Sequence, residues 1–188
     1  MLFRSLQQWP LSDYAPRAQY LIGRCHEAQG KDEKAFDEYQ KLVEKYPKID
    51  NYQEVLQRQY EIANRFMGGQ WFKQWGVIPY KSKDKTVEMY EKIVKNGPYS
   101  EVAPQAQFKV GAIREKQEEF EKAVKVYENT ADKYNDQKVV AADALYKSGM
   151  AHYKQARTAE YDQGAAGKAV TAFTDFLTLY PEDPRGKE

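Results

Sequence analysis

The chain has 188 residues, enough for one domain with a sizeable core. Its 29 Lys and Arg nearly balance 28 Asp and Glu, giving a net charge of +1, which argues against the basic footprint of a nucleic-acid binder. One cysteine provides no disulfide framework, and no apolar run approaches the ~18 residues that span a bilayer.

Met1 to Pro10 lacks a basic stretch followed by a continuous apolar one, so it does not read as a signal peptide. It reads as the tail of a helix, with Trp9 standing where Tyr46, Tyr134 and Tyr180 stand later. The next stretch carries the main signal. Ser12–Gly23 aligns with Ser100–Gly111, and six of the twelve positions are identical: Ser, Ala, Pro, Ala, Gln and Gly. The same offset then pairs Glu27 with Glu115, Ala35 with Ala123, Tyr39 with Tyr127, and Tyr46 with Tyr134.

Each repeat unit is predicted to be two antiparallel helices. Gly23, Ala63, Gly111 and Gly149 give the first helix a small residue where the second packs closely. Ala35, Thr86, Ala123 and Ala169 form the matching small slot on the second helix. Four residues later come Tyr39, Tyr90, Tyr127 and Phe173 on the same face. Pro47, Pro98, Asn135 and Pro181 follow as breakers. Ser12 and Ser100 are expected to cap the first helices, with Pro16 and Pro104 in the first turn. Two insertions, near Met67–Asp84 and Ala156–Gly167, lengthen the second and fourth units.

This small–large–breaker pattern is the tetratricopeptide signature, whose usual length is about 34 residues. It predicts an all-α, right-handed superhelical solenoid of paired antiparallel helices, with at most a stray pair of β residues. Residues 1–188 are expected to form one domain, with units near 1–10 (partial), 12–47, 50–98, 100–135 and 138–181. The chain reads as a fragment of a longer array, because the ends lack the polar caps a solenoid needs.

Residues able to carry chemistry are few. His26 and His152 each fall three positions after a Gly slot, where Phe66 stands in the second unit, so they read as packing residues. His26-Glu27 fails as a zinc-protease motif because position 30 is Gly. Cys25 reads as a small buried thiol. The cluster of Lys81, Lys83 and Lys85 reads as a solvated loop. No nucleophile elbow, phosphate loop or dinucleotide motif is present, so no enzyme, catalytic residue, metal or cofactor is expected.

The functional expectation rests on two aromatic sets. Tyr20, Tyr60, Phe108 and Tyr146, each three before a Gly slot, would form a ladder along the concave face with Arg24 beside it. Packing against neighbouring helices is the alternative reading, and the two are compatible. The insertion holds Trp71, Phe72 and Trp75, which either contact a protein partner or plug the groove of their own solenoid.

The chain resembles the BamD-like outer-membrane assembly lipoproteins. The resemblance rests on several features. They are the 37-residue steps from Pro10 to Pro47 and from Pro98 to Asn135, the endings Tyr46-Pro47 and Tyr180-Pro181, the Trp-, Phe- and Gly-containing insertion, and the run from Glu160-Tyr161-Asp162-Gln163 into Lys168–Phe173. Periplasmic Tol-Pal-associated repeat proteins share the period and the Tyr-Pro endings. The resemblance implies a scaffold on the periplasmic face of the outer membrane that binds the β-barrel insertase and its companion lipoproteins. The lipidated Cys of that family is absent here, so an anchor is expected upstream of Met1. The competing expectation is a soluble tetratricopeptide adaptor for peptide segments. The carboxylate-clamping version of such adaptors is disfavoured, because Tyr20, Arg24 and Gln105 fill the slots where it uses Lys and Asn.

Overall fold

A computed structural model describes residues 12–74, 78–158 and 163–187. The chain divides into two compact units, residues 1–103 and 104–188.

In the first unit, α1 (Ala15–Ala28) and α2 (Asp32–Lys45) make one pair, and α3 (Tyr52–Met67) and α4 (Lys83–Asn96) make the next. The apolar stripe of α2 recurs at helical spacing: Ala35, Phe36, Tyr39, Leu42 and Val43 are all buried. Asp32 and Glu33 in its first turn and Lys45 in its last complement the helix dipole. The helix stops two residues short of Pro47, and α4 likewise stops two short of Pro98. Between α3 and α4 lies a hairpin of β1 (Phe72–Gln74) and β2 (Ile78–Tyr80), pairing Phe72 with Tyr80 and Gln74 with Ile78. The all-α expectation therefore holds for the repeats, whereas the insertion forms three paired positions rather than a stray pair.

The second unit holds most of α5 (Ala103–Lys116), whose first residue sits at the boundary, followed by α6 (Phe120–Lys133), α7 (Lys138–Thr158) and α8 (Gln163–Leu179). A 3-10 turn, Pro184–Lys187, closes it. The bounds of α5 and α6 repeat those of α1 and α2 with the offset found in the sequence. The turns repeat too. Gly30 has φ +66° between α1 and α2, and Glu118 has φ +62° between α5 and α6, both in the left-handed region.

Three local expectations are corrected. Ser12 and Ser100 do not cap by side chain. Each lies three residues before its helix and accepts from the Ala15 or Ala103 amide through its carbonyl; the Ser12 hydroxyl accepts from the Tyr14 amide, and that of Ser100 donates to the Gly97 carbonyl. The side-chain cap lies instead at Ser82, which accepts from the Lys85 amide at 3.1 Å and starts α4. The second insertion mostly lengthens its helices: α7 runs to Thr158 and α8 starts at Gln163.

Candidate binding surface

The small slots work through direct contact with the rings opposite them. A Cβ added at Gly23 would lie 2.5 Å from the Tyr39 ring, one at Gly111 2.6 Å from Tyr127, and one at Gly149 2.9 Å from Phe173. Tyr39 and Tyr127 are fully buried, so neither ring can retreat; Phe173 is only partly buried. Alanine is therefore not a mild replacement at the first two positions, contrary to what Ala63 in the equivalent slot suggests.

The hydroxyls of these tyrosines anchor carboxylates. Tyr39 donates to Glu27 at 2.8 Å, and Tyr127 donates to Glu115 at 2.9 Å. Burial, and then the neighbouring carboxylate, pushes both phenols above their ordinary range. Each glutamate is also held by two cations seven residues apart on the following first helix. Arg58 and Arg65 reach Glu27, both at 3.3 Å; Lys154 and Lys147 reach Glu115 at 2.6 and 3.9 Å. Arg65 additionally forms a two-pronged pair with buried Asp32, at 2.9 and 3.0 Å. From the sequence alone these acids have no assigned role. The pairing of Glu27 with Glu115, joined to basic pairs seven apart, was the signal that could have found them.

The four rings of the expected ladder are all partly buried. Each packs on the large ring of its own second helix: Tyr20 on Tyr39, Tyr60 on Tyr90, Phe108 on Tyr127, and Tyr146 on Phe173, with centroids 5.3–6.1 Å apart. In the first unit Tyr20 also donates to Glu54 and accepts from Arg24 at 3.1 Å. The hydrogen bond from Tyr20, with help from Arg58, holds the Glu54 carboxyl below its usual range.

The hairpin splits its aromatics. Phe72 is buried and stacks on Phe66 with centroids 4.1 Å apart and planes 11° from parallel. Trp71 points outward, 54% exposed, with the Lys81 ammonium 5.1 Å from its ring. Trp75 lies outside the described residues.

Each unit has a cleft walled by its two second helices. In the first unit it holds about 240 Å³ and is lined by Phe36, Asp37, Phe72, Lys85, Met89 and Lys92, among others. In the second it holds about 730 Å³, walled by α6 and α8 with Leu145, His152 and Gln155 of α7 as floor. His152 is buried; its Nε2 lies 3.5 Å from Glu128, and its Nδ1 has no hydrogen-bond partner among the described residues.

Comparison with known proteins decides the repeat type. The tetratricopeptide-repeat family model matches residues 17–48 and 143–183, one helix pair at each end of the described structure. These segments are tetratricopeptide repeats. Two solved structures are similar to this chain at low identity. A MamA RS-1 ArsTM double mutant is 17% identical, with a TM-score of 0.48, covering 92% of this chain and 79% of that one. A putative kinesin light chain of Podosopora anserina with nearly identical TPR-like repeats is 12% identical, with a TM-score of 0.45, covering 97% and 86%. No curated protein matches the chain.

Cys25 is exposed, not a core thiol, because it falls off the stripe of Gln19, Ile22 and Gly23 that α1 buries. Arg24 and Gln105 are exposed on the first helices α1 and α5. The lysine cluster is not a solvated loop. Lys85 pairs with Glu33 at 3.0 Å and lies over the rings of Phe72 and Tyr80, while Lys81 covers Trp71. Among the described residues, no group of three His, Cys, Asp or Glu side chains is placed to hold a metal, and no helix is long and apolar enough to cross a membrane.

Proposed function

We propose that the protein is a non-catalytic protein–protein interaction scaffold. Its partner-binding region comprises the first-helix rings Tyr20, Tyr60, Phe108 and Tyr146, with Arg24, and the outward side of the hairpin. The observation that carries this reading is the division of labour in the hairpin. Phe72 is locked into the repeat while its neighbour Trp71 is held outward, so a large ring is presented at little ordering cost. Phe72 itself plugs the repeat rather than meeting a partner. The partly buried rings of the first helices have one face on their own repeat, which leaves the exposed remainder to a bound segment.

The finer reading, supported by the sequence resemblance alone, places the scaffold among the outer-membrane assembly lipoproteins, on the periplasmic face of that membrane, with barrel-assembly components as partners. The test is retention of the purified β-barrel insertase on the immobilised chain. Retention that drops with Trp71→Ala at unchanged melting temperature is the expected result. Weak dependence on salt is expected too, given the net charge of +1. Failure to retain the insertase removes the outer-membrane reading. Binding of other peptide segments that still depends on Trp71 preserves the scaffold reading.

A further inference from the structure

The two clefts are the same place in two repeats, finished differently. Aligning helices α2 and α6 pairs Phe36 with Val124 and Asp37 with Lys125; aligning α4 and α8 pairs Met89 with Ala172 and Lys92 with Asp175. The opposite charges across the cleft survive with their signs reversed, Asp37 and Lys92 in the first unit, Lys125 and Asp175 in the second. Phe66, which stacks on Phe72, becomes His152, the same three positions after the small slot. In the first unit the cleft is narrowed by Phe36 and Met89 and completed by Phe72, which arrives on a β-strand and stacks on Phe66. In the second unit both narrowing side chains are smaller, and the cleft is about three times larger, 730 against 240 Å³. Its floor carries a buried imidazole whose Nδ1 has no hydrogen-bond partner among the described residues.

We propose that the second-unit cleft is a receptor for an aromatic side chain carried on an extended segment of a partner protein, seated over His152 as Phe72 is seated over Phe66. The first unit supplies the template for both the chemistry and the backbone of the guest: a ring, delivered by a strand. Lys168, which lines the cleft, is the counterpart of Lys85, whose ammonium lies 5.3 Å from the Phe72 ring, so the cation that faces the guest ring is also retained. Space of this size is within the usual range for a specific pocket, roughly 300–1,000 Å³. The site deepens the scaffold reading and is distinct from the surface around Trp71.

The chain has only two histidines, which makes the test direct. The probe is a capped pentapeptide of the sequence Gln-Trp-Phe-Lys-Gln, residues 70–74 of this chain, titrated to ~1 mM, a range in which weak peptide sites respond. The readout is the imidazole proton resonances, assigned with His152→Phe. The expected result is a saturable ring-current shift at His152 and none at His26. The same peptide with both rings replaced by alanine should give no shift. Val124→Phe and Ala172→Met, which restore the side chains of the first unit, should each weaken binding by roughly tenfold or more. Circular dichroism checks that both variants fold, and if one does not, the other decides.

The proposal is overturned by no shift at His152, by an equal shift with the ringless peptide, or by unchanged affinity in a folded cleft-filling variant. It is also overturned if Tyr161→Ala raises affinity tenfold or more, because the guest would then be the chain's own insertion. None of these results bears on retention through Trp71, so the two readings fail separately.

Discussion

The two units show what a repeat does with a cleft it cannot close by helices alone. In the first, the insertion between α3 and α4 folds back as a hairpin and lays Phe72 on Phe66, and polar bridges tie the walls together. Gln40 accepts from Gln59 at 3.0 Å and from Asn96 at 2.9 Å, and Lys85 reaches Glu33. In the second, the insertion lengthens α7 and α8, Val124 and Ala172 leave the walls apart, and His152 lies at the bottom. The same repeat thus carries a narrowed cleft in one unit and a wider one in the other. The difference comes from the path of the insertion and from a few side chains at equivalent positions.

The largest effect should come from widening the narrowed cleft. Phe72→Ala removes a buried ring whose place no helix can fill, and it should cost about 3–5 kcal/mol, read by urea denaturation. A cost below 1 kcal/mol would mean that the hairpin is ornament and that the two clefts are alike.

The small slots come next. Gly111→Ala forces a Cβ against fully buried Tyr127 and should cost about 1–3 kcal/mol, with Gly111→Leu worse. Gly149→Ala meets a partly buried ring and should cost less. Equal losses at the two positions would show that Phe173 is as firmly held as Tyr127.

His152→Phe gives the second unit the ring that the first has at Phe66. It removes a buried nitrogen that has no hydrogen-bond partner among the described residues, so stability should hold or rise by up to about 1 kcal/mol. A loss larger than that would mean that the imidazole has a structural role the first unit does without.

The smallest effect is one of pH. Arg185 binds Asp183 at 2.6 Å and reaches Asp143 at 2.7 Å, and its hydrogen bond holds the Asp183 carboxyl down at about 2. A depressed carboxylate contributes stability above its unfolded value, near 4, and that stability is lost as pH falls from there through about 2. Glu115 works in the same direction: burial pushes it up, but hydrogen bonds from Lys154 and Tyr127 together with nearby cations outweigh that and hold it below its usual range. In the first unit Glu54 acts likewise, but Asp37 opposes it. Burial raises Asp37, so its contribution grows as pH falls. Amide exchange between pH 5 and 3 should therefore lose protection first in the second unit, by a modest factor.

The repeat fold was readable because its constraints recur. A Gly slot, a small slot, a ring and a breaker in fixed phase place two helices and their contact, and the rings do lie against the glycines. The misreadings share one cause, since they concern features that the repeat does not set. Cys25 and the lysines around the hairpin depend on which arc of a helix faces the core and on what the insertion does locally. Ser12 and Ser100 sit in the right neighbourhood, but their geometry is fixed by backbone turns that residue type does not reveal. Trp71 and Phe72 are adjacent and aromatic, and nothing in their order says which turns inward. The larger cleft of the second unit was legible in principle, as Phe36 against Val124 and Met89 against Ala172, but its emptiness depends on volumes that a repeat alignment does not weigh.

The left-handed turn between paired helices has a consequence of its own. Gly30 adopts that conformation at no steric cost, whereas Glu118 adopts it against its preference, at a penalty of order 1 kcal/mol. The same backbone path is thus taken by a residue that does not favour it. An equivalent element can keep its trajectory without a residue that favours it locally, held there by the helices on either side. The junction at Glu118 is accordingly a place where one change, Glu118→Gly, would test how much of the loop's shape is dictated from outside it.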